Sequence, residues 1–354
     1  MIEYLLLFLM ALTVSYFLTP LVRKYSLKMD LVDYHKSQNK CIITRLGGLA
    51  IIISFVTTLG LTFILYHQPF VGILSQVSGL FLGIIIIMSM GIYDDIKKLS
   101  AKFKFGIQLV VALLMIGFGF RLEAISLPFY SGTIHPGWVS LPLTLFWIVG
   151  ITNTINLIDG LDGLAAGIVF IASISLFGVA VIGGDVVLAL FTAILAGSTL
   201  GFLRHNLPPA KIFMGDTGSN FLGYILALLA LLSSQPGSGG KTPFIIFVVV
   251  LGVPILDTSL AIIRRTARGV NIFQADKDHL HHKLIHRGLS HLRVLMVLYG
   301  LSALLGFIAL ALFIEHHILI TISLILLGAV IISGLVSLKI ISDFGWRNSS
   351  PLRS

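Results

Sequence analysis

The sequence predicts an all-α, polytopic integral membrane protein, and three observations support this fold class. Of the 354 residues, 56% are hydrophobic and only 11% charged, whereas a soluble domain carries roughly 25% charged residues. The mean hydropathy is +1.01. Apolar runs of about 20 residues recur along the chain, as bilayer-crossing helices require. This pattern excludes a soluble enzyme and a disordered protein, and it argues against a β-barrel, whose strands alternate.

Eleven apolar runs are long enough to cross a membrane. We predict spans near residues 4–22, 47–66, 72–93, 104–119, 138–156, 163–182, 185–203, 218–233, 243–263, 294–314 and 318–340. The first run begins at Met1 without a basic n-region or a cleavage site, so we interpret it as a retained span. No internal repeat is visible, and we predict one membrane domain over residues 1–354.

Positive charges predict the orientation of these spans. The loops alternate between two sides, and one side, with the span ends that border it, carries 22 of the 24 Lys and Arg residues. Because Lys and Arg are enriched in cytoplasmic loops, we predict an outside N-terminus, a cytoplasmic C-terminus and two long cytoplasmic loops, 23–46 and 264–293. The net charge of +9 then fits anionic lipid rather than nucleic acid.

Six acidic residues lie at the predicted cytoplasmic ends of the spans. They are Asp94, Asp95, Asp159, Asp162, Asp216 and Asp257. A carboxylate inside an apolar span costs about 2.5–3.5 kcal/mol on the insertion scale, so each is a candidate functional residue. Snorkelling or salt bridges to Lys97, Lys98 and Arg264 would explain one isolated acid, but six acids at one depth favour a common site.

Two segments carry four of these acids. YDDIKK, residues 93–98, places Asp94 and Asp95 side by side, which suits Mg²⁺ and proton transfer; an ordinary i, i+4 pair with Lys98 is the alternative. In NTINLIDGLDGLAAG, residues 153–167, three polar residues recur at every third position: Asn156, Asp159 and Asp162. In a helix they would share one face. The glycines there would admit a nucleotide, although a capped helix connection is the alternative.

A third segment, KIFMGDTGSN at residues 211–220, opens the eighth predicted span. One interpretation is that Asp216, Thr217 and Ser219 cap that helix. The other is a phosphate site, because a glycine-containing helix N-terminus also binds phosphate through free N–H groups. Asp216 would hold a metal that bridges the phosphates, and Phe213 would stack on a base.

The loop 264–293 is rich in histidine and arginine. Five of the eleven histidines lie between residues 279 and 291, and His279, His282 and His286 would share a helical face. Recognition of a diphosphate by His and Arg is the favoured interpretation. The alternatives are a solvated basic loop against anionic lipid and a zinc site, although HExxH is absent and the single Cys41 excludes a Cys-based site.

These four segments, in this order, resemble the polyprenyl-phosphate N-acetylhexosamine-1-phosphate transferase family, which includes the MraY and WecA/TagO branches. The resemblance runs from RLGG at residues 45–48 to His282 and rests on NxxNxxDGxDGLA, FMGDTGS and DDxxK. DKDHLHHKL, residues 276–284, is similar to the WecA/TagO branch, whereas MraY proteins carry consecutive histidines there. The family usually has Pro before the two glycines, where this chain reads CIITR at residues 41–45.

The resemblance implies a role for each matched residue. One acid of the Asp94–Asp95 pair would deprotonate the lipid phosphate, and Phe213 would stack on uracil. The implied catalytic residues are Asp94, Asp95, Asp159, Asp162 and His279, and the implied metal ligands are Asp216 and Asp95. The predicted substrate-binding residues are Asn156, Phe213, Lys40, Arg45, Lys98, Arg264, His281 and His282.

The resemblance also implies an activity: transfer of GlcNAc 1-phosphate from UDP-GlcNAc to undecaprenyl phosphate, with UMP as second product and Mg²⁺ or Mn²⁺ as cofactor. We expect a homodimer in a bacterial inner membrane, with a cytoplasmic active site that initiates a cell-envelope glycan such as teichoic acid or lipopolysaccharide. The alternatives are an MraY-type enzyme that uses UDP-MurNAc-pentapeptide, a non-catalytic lipid-binding protein, and a secondary transporter, which would place acids near the midplane in paired repeats.

Overall fold

The computed structural model describes residues 1–34, 42–126, 132–235, 242–267, 269 and 279–315. These residues form a bundle of α-helices with two short hairpins. The helices are α1 (Ile2–Lys28), α2 (Gly48–Leu65), α3 (Leu74–Lys97), α4 (Ala101–Gly117), α5 (Ser140–Ile158), α6 (Leu164–Gly183), α7 (Val186–Asn206), α8 (Gly215–Ser233), α9 (Phe244–Val250), α10 (Gly252–Ala267), α11 (Leu280–His286) and α12 (His291–Phe313).

The predicted all-α, polytopic membrane fold is confirmed. Eight of the described helices are long and apolar enough to cross a membrane, or nine if the bent pair α9–α10 counts as one span. The fourth predicted span corresponds to α4, whose 17 residues are fewer than the roughly 20 of a full crossing. The span predicted at 318–340 lies outside the described residues, so the count of eleven and the orientation stay predictions.

The predicted span 243–263 is bent rather than straight. Helices α9 and α10 meet at an angle of 75°. Pro254 lacks a backbone N–H and cannot complete the hydrogen bond to the preceding turn, which explains the break. Beyond the bend, α10 exposes Leu256 and Leu260 while Asp257 is buried. The bend therefore turns an acidic side chain towards the protein interior.

The two long loops predicted from the sequence contain regular structure. Helix α1 extends into the range 23–46, where β1 (Val32–Tyr34) then pairs antiparallel with β2 (Ile42–Thr44). The range 264–293 includes the end of α10, all of α11 and the start of α12. A second antiparallel hairpin, β3 (Ile125–Ser126) with β4 (Thr133–Ile134), lies between α4 and α5.

Helix α8 lies at the centre of the bundle. It is buried along almost its whole length, whereas α1 is mostly exposed. Close approach to α2 depends on two glycines, since a Cβ built on Gly48 would lie 2.2 Å from the Cα of Gly218. This packing brings the N-terminus of α8 to the ends of α3 and α5, where the predicted site residues lie.

Candidate active site

One cleft collects most of the site residues that the sequence predicts. It has a volume of about 580 Å³ and lies where α3 and α5 end and where α8 begins. Nine predicted residues line it: Arg45, Asp94, Asp95, Lys98, Asn156, Asp159, Asp162, Phe213 and Asp216. The bundle therefore brings five carboxylates from three separate segments into one polar cavity.

Asp95 holds the first turn of α8. Its Oδ1 accepts a hydrogen bond from the Asp216 N–H at 2.9 Å, and its Oδ2 accepts from the N–H and the Oγ1 of Thr217 at 3.1 and 2.6 Å. These bonds use three of the roughly four acceptor positions of a carboxylate. Gly215 makes the approach feasible, because its φ is +73° and a Cβ there would lie 2.6 Å from Asp95 Oδ2. The main contact of Asp95 is thus a helix N-terminus.

Lys104 of α4 lies between two carboxylates. Its Nζ is 3.1 Å from Asp94 Oδ2 and 2.5 Å from Asp216 Oδ2. Asp94 also accepts the Leu99 N–H through Oδ1 at 2.5 Å, which fixes the turn after α3. Lys104 is not among the site residues predicted from the sequence, although a lysine in the first turn of an apolar helix requires a partner and is a usable signal. The cleft therefore contains a cation shared by two acids.

The segment after α5 does not form the single helical face that the sequence predicts. Helix α5 ends at Ile158, so of Asn156, Asp159 and Asp162 only Asn156 is helical. Its Nδ2 donates to Ser219 Oγ at 2.8 Å. Asp159 ends the helix, and Asp162 Oδ2 accepts the N–H of Ala210 at 3.0 Å. The glycines of this segment break the helix and turn the chain.

Burial raises the pKa of Asp159 well above its usual value, and the negative charges of Asp216, Asp95 and Asp162 raise it further. A protonated carboxyl group can donate a hydrogen bond, which an ionised carboxylate cannot do.

Phe213 is fixed through its backbone. Its N–H donates to the carbonyl of Thr44 at 2.8 Å, and its carbonyl accepts the N–H of Gly47 at 2.9 Å. Between these two residues, Arg45 donates through Nη1 to the carbonyl of Asp95 at 3.1 Å. The segment before α2 therefore holds both the aromatic ring at the cleft wall and the end of α3.

The segment from His279 to His282 lies behind the wall of the cleft. Asp257 Oδ2 accepts from His279 Nδ1 at 2.9 Å, and its Oδ1 accepts the Leu280 N–H at 2.8 Å. His281 is buried against Gly160, where a Cβ would lie 2.7 Å from its Nε2. Burial, followed by the charge of His282, lowers the pKa of His281 to about 4, so its imidazole is neutral at pH 7.

Several predicted catalytic or binding residues lie elsewhere. Arg264, His279, His281 and His282 are absent from the cleft lining, and Lys40 lies outside the described residues. The predicted common face of His279, His282 and His286 holds only for the last two, because α11 begins one residue after His279. Instead His291 at the start of α12 lines the cleft, and nothing in its sequence context distinguished it.

Comparison with known proteins identifies the family. The sequence model of glycosyl transferase family 4 matches residues 77–234. A probable undecaprenyl-phosphate N-acetylglucosaminyl 1-phosphate transferase of Bacillus subtilis (strain 168) is 42% identical over 310 residues, which cover 87% of this chain and 83% of the relative. The chain belongs to glycosyl transferase family 4. The resemblance to the WecA/TagO branch that the motifs predict is confirmed.

Two further family members place the chain more finely. A decaprenyl-phosphate N-acetylglucosaminephosphotransferase of Mycobacterium tuberculosis (strain CDC 1551 / Oshkosh) is 35% identical over 353 residues, covering 92% of this chain and 86% of the relative. A phospho-N-acetylmuramoyl-pentapeptide-transferase of Clostridium perfringens (strain 13 / Type A) is 31% identical over 236 residues, covering 63% and 71%. The N-acetylglucosamine enzymes match with higher identity over more of the chain.

Proposed function

We propose that this glycosyl transferase family 4 member transfers N-acetylglucosamine 1-phosphate from UDP-GlcNAc to undecaprenyl phosphate. The products are undecaprenyl-diphosphoryl-GlcNAc and UMP. The observation that carries the proposal is the cleft, where separate apolar helices bring together five carboxylates, two asparagines and two lysines. The Bacillus and Mycobacterium relatives bear names that describe N-acetylglucosamine transfer to undecaprenyl and decaprenyl phosphate.

The reaction forms one phosphoanhydride bond and breaks another. An oxygen of the lipid phosphate bonds to the phosphorus that carries the sugar, and UMP leaves with the electron pair of the broken P–O bond. Phosphoryl transfer depends on positioning and charge neutralisation more than on covalent participation by the protein. Lys104 supplies a fixed positive charge, Arg45 and Lys98 line the same cavity, and Asp94 is the residue we assign to accept a proton from the lipid phosphate.

The donor set fits a divalent metal, and we propose Mg²⁺, with Mn²⁺ as a substitute. Asp216, the metal ligand that we propose, is a hard oxygen donor, and together with Asp94 it already binds one cation, the Lys104 ammonium. Among the described residues, no group of three or more His, Cys, Asp or Glu side chains is arranged to hold a metal. Mg²⁺ commonly takes only one or two carboxylates together with substrate phosphates, and bound there it would neutralise the diphosphate.

We assign the nucleotide to the side of the cleft formed by Phe213 and the segment after α5. Phe213 lies half-buried in the wall and offers a ring face to a base. Asn156 and Asp162 present polar groups on the same cavity, and a protonated Asp159 adds a donor. The neutral His281 lies just behind Gly160, so we place the sugar or diphosphate near that wall.

The cellular location that we propose for the protein and its cleft follows from where the two substrates can meet. The protein is a multi-pass membrane protein, and we propose that it lies in the bacterial inner membrane with the cleft facing the cytoplasm. The lipid phosphate then reaches the cleft from the bilayer and the nucleotide sugar from the cytosol. The product would initiate a cell-envelope glycan, and we expect the protein to act as a homodimer.

An assay of UMP release tests this function. Purified protein receives undecaprenyl phosphate and Mg²⁺ with UDP-GlcNAc, UDP-GalNAc or UDP-MurNAc-pentapeptide as donor. We expect UMP from UDP-GlcNAc, and at least a hundredfold less from the variant Asp216→Asn, which lacks the carboxylate charge that binds the metal and pairs with Lys104. The matched control is Asp30→Asn, since Asp30 is exposed outside the cleft and asparagine tolerates its positive φ of 56°.

Each result has a distinct meaning. Turnover of Asp216→Asn at the wild-type rate would disprove the metal assignment, and a loss in Asp30→Asn equal to that in Asp216→Asn would show an unspecific effect. UMP from the pentapeptide donor alone would replace the proposed donor. No UMP from any donor would refute the proposed function.

A further inference from the structure

A chain of buried amides runs from the cleft into the membrane-spanning part of the bundle. Gln108 of α4 donates through Nε2 to Asn220 Oδ1 of α8 at 2.9 Å, and Asn153 of α5 donates through Nδ2 to Gln108 Oε1 at 2.5 Å. Asn220 Nδ2 in turn donates to the backbone carbonyl of Asp216 at 2.7 Å. Gln108 and Asn220 are 2% and 1% exposed, and none of the three amides lines the cleft.

The hydrogen bonds allow one orientation of each amide. The carbonyl of Asp216 can only accept, so Asn220 must present Nδ2 to it and Oδ1 to Gln108. Gln108 must then present Nε2 to Asn220 and Oε1 to Asn153, whose Nδ2 also donates to the carbonyl of Val149 at 2.8 Å. Each link fixes the next, because a reversed amide would face a donor with a donor or an acceptor with an acceptor.

Helix α4 uses one face for both of its polar contacts. Lys104 and Gln108 are four residues apart, so they lie one turn apart on the same side of the helix. Lys104 contacts acids of α3 and α8, and Gln108 contacts amides of α5 and α8. Apolar side chains would suffice for helix packing in lipid, whereas buried polar groups there are expensive unless they are paired.

We propose that Gln108 is a positioning residue of the active site. It fixes α4 and the first turn of α8 relative to each other, so that the Lys104 ammonium lies between Asp94 and Asp216. Gln108 touches neither the substrates nor the reacting atoms and acts through Asn220 and Lys104. The proposal rests on the proposed function for its kinetic measurement only, since the position of the first turn of α8 can be measured without substrate.

The test replaces Gln108 with methionine, which keeps the unbranched side chain and removes both hydrogen bonds. The matched control is Gln235→Met. Gln235 is a buried amide beyond the other end of α8, where its Nε2 donates to the carbonyls of Gly119 and Arg121 at 2.6 and 3.2 Å. Two quantities are measured: hydrogen exchange of the Asp216 and Thr217 backbone amides by mass spectrometry, and the kcat and KM of UMP release.

We expect Gln108→Met to speed exchange at these two amides at least tenfold, because the first turn of α8 loses an anchor. We also expect kcat to fall at least tenfold while KM for UDP-GlcNAc changes less than threefold. Gln235→Met should leave both quantities at the wild-type values. Gln108→Asn, which keeps the amide but is one methylene too short to reach both partners, should behave as Gln108→Met and serves if the methionine variant does not fold.

Unchanged exchange and kcat in the Gln108 variants would overturn the proposal. Equal effects of the Gln108 and Gln235 variants would also overturn it, because they would reveal a general loss of packing. If wild-type protein releases no UMP, the proposed function fails, and the exchange rates still decide whether Gln108 positions α8.

Discussion

Replacing Lys104 with methionine isolates the contribution of one charge to the cleft. Methionine keeps an unbranched apolar stem and removes the ammonium that Asp94 and Asp216 share. Two carboxylates then face the cavity without the ammonium between them, and the Oδ2 atoms of Asp94 and Asp216 each lose a charged hydrogen-bond donor. We expect turnover to fall because both acids are needed in fixed places for the reaction.

The size of the loss follows from the two contacts. A hydrogen bond to a charged group contributes about 1.5–3 kcal/mol, so two such bonds sum to about 3–6 kcal/mol. The side chains of Lys104 and Asp216 are 21% and 26% exposed, so water recovers part of this energy, and we take about half, roughly 1.5–3 kcal/mol. Since 1.4 kcal/mol corresponds to a tenfold change, kcat/KM should fall about 10- to 150-fold.

The assay is UMP release from UDP-GlcNAc by purified Lys104→Met at several Mg²⁺ concentrations. Lys102→Met is the matched control, because Lys102 lies two residues away on α4 and is exposed. A kcat/KM within threefold of wild type for Lys104→Met would refute the reasoning. An equal loss in both variants would show that the charge of α4 as a whole matters, not the contact with the two acids.

Two further predictions concern stability. Gly215→Ala should lower the free energy of unfolding by about 1–3 kcal/mol, because φ at Gly215 is +73° and the new Cβ would meet the Asp95 carboxylate. Thermal denaturation measures the loss. Gly106→Ala is the control, because no atom lies within 4 Å of a Cβ built at that position. His281 has its pKa lowered to about 4 from an ordinary 6.5, so stability should be complete above pH 6.5 and fall as the pH drops towards 4, by about 3 kcal/mol in total. His281→Leu should flatten this dependence.

The outcomes that contradict these two predictions are specific. Equal denaturation temperatures for Gly215→Ala and Gly106→Ala would mean that the turn before α8 carries no strain when a side chain is added. A pH dependence of stability in His281→Leu as steep as that of the wild type, between pH 6.5 and 4, would mean that this imidazole is not held neutral by burial.

The helices and their polar ends could be predicted from the sequence because both are local properties. An apolar run of about 20 residues suffices to indicate a membrane helix, and α1, α2 and α3 begin within two residues of the predicted ranges 4–22, 47–66 and 72–93, although α1 and α3 end later. The motif residues also reached the cleft as expected, from Asp94 through Asn156 to Asp216. The prediction of one straight span at 243–263 failed because a single residue, Pro254, breaks the helix within an otherwise apolar run.

Composition and the lengths of the apolar runs are enough to identify a helical membrane protein whose acids gather at the ends of its spans. Which partner each acid has depends on the packing of helices that are distant in the chain. Asp95 contacts α8, and Lys104 contacts Asp216, 112 residues further along the chain. Asp257 contacts His279 rather than the cleft. These pairings depend on how each helix is rotated and how closely glycines such as Gly48 let helices approach, and neither property is encoded in the length or composition of an apolar run.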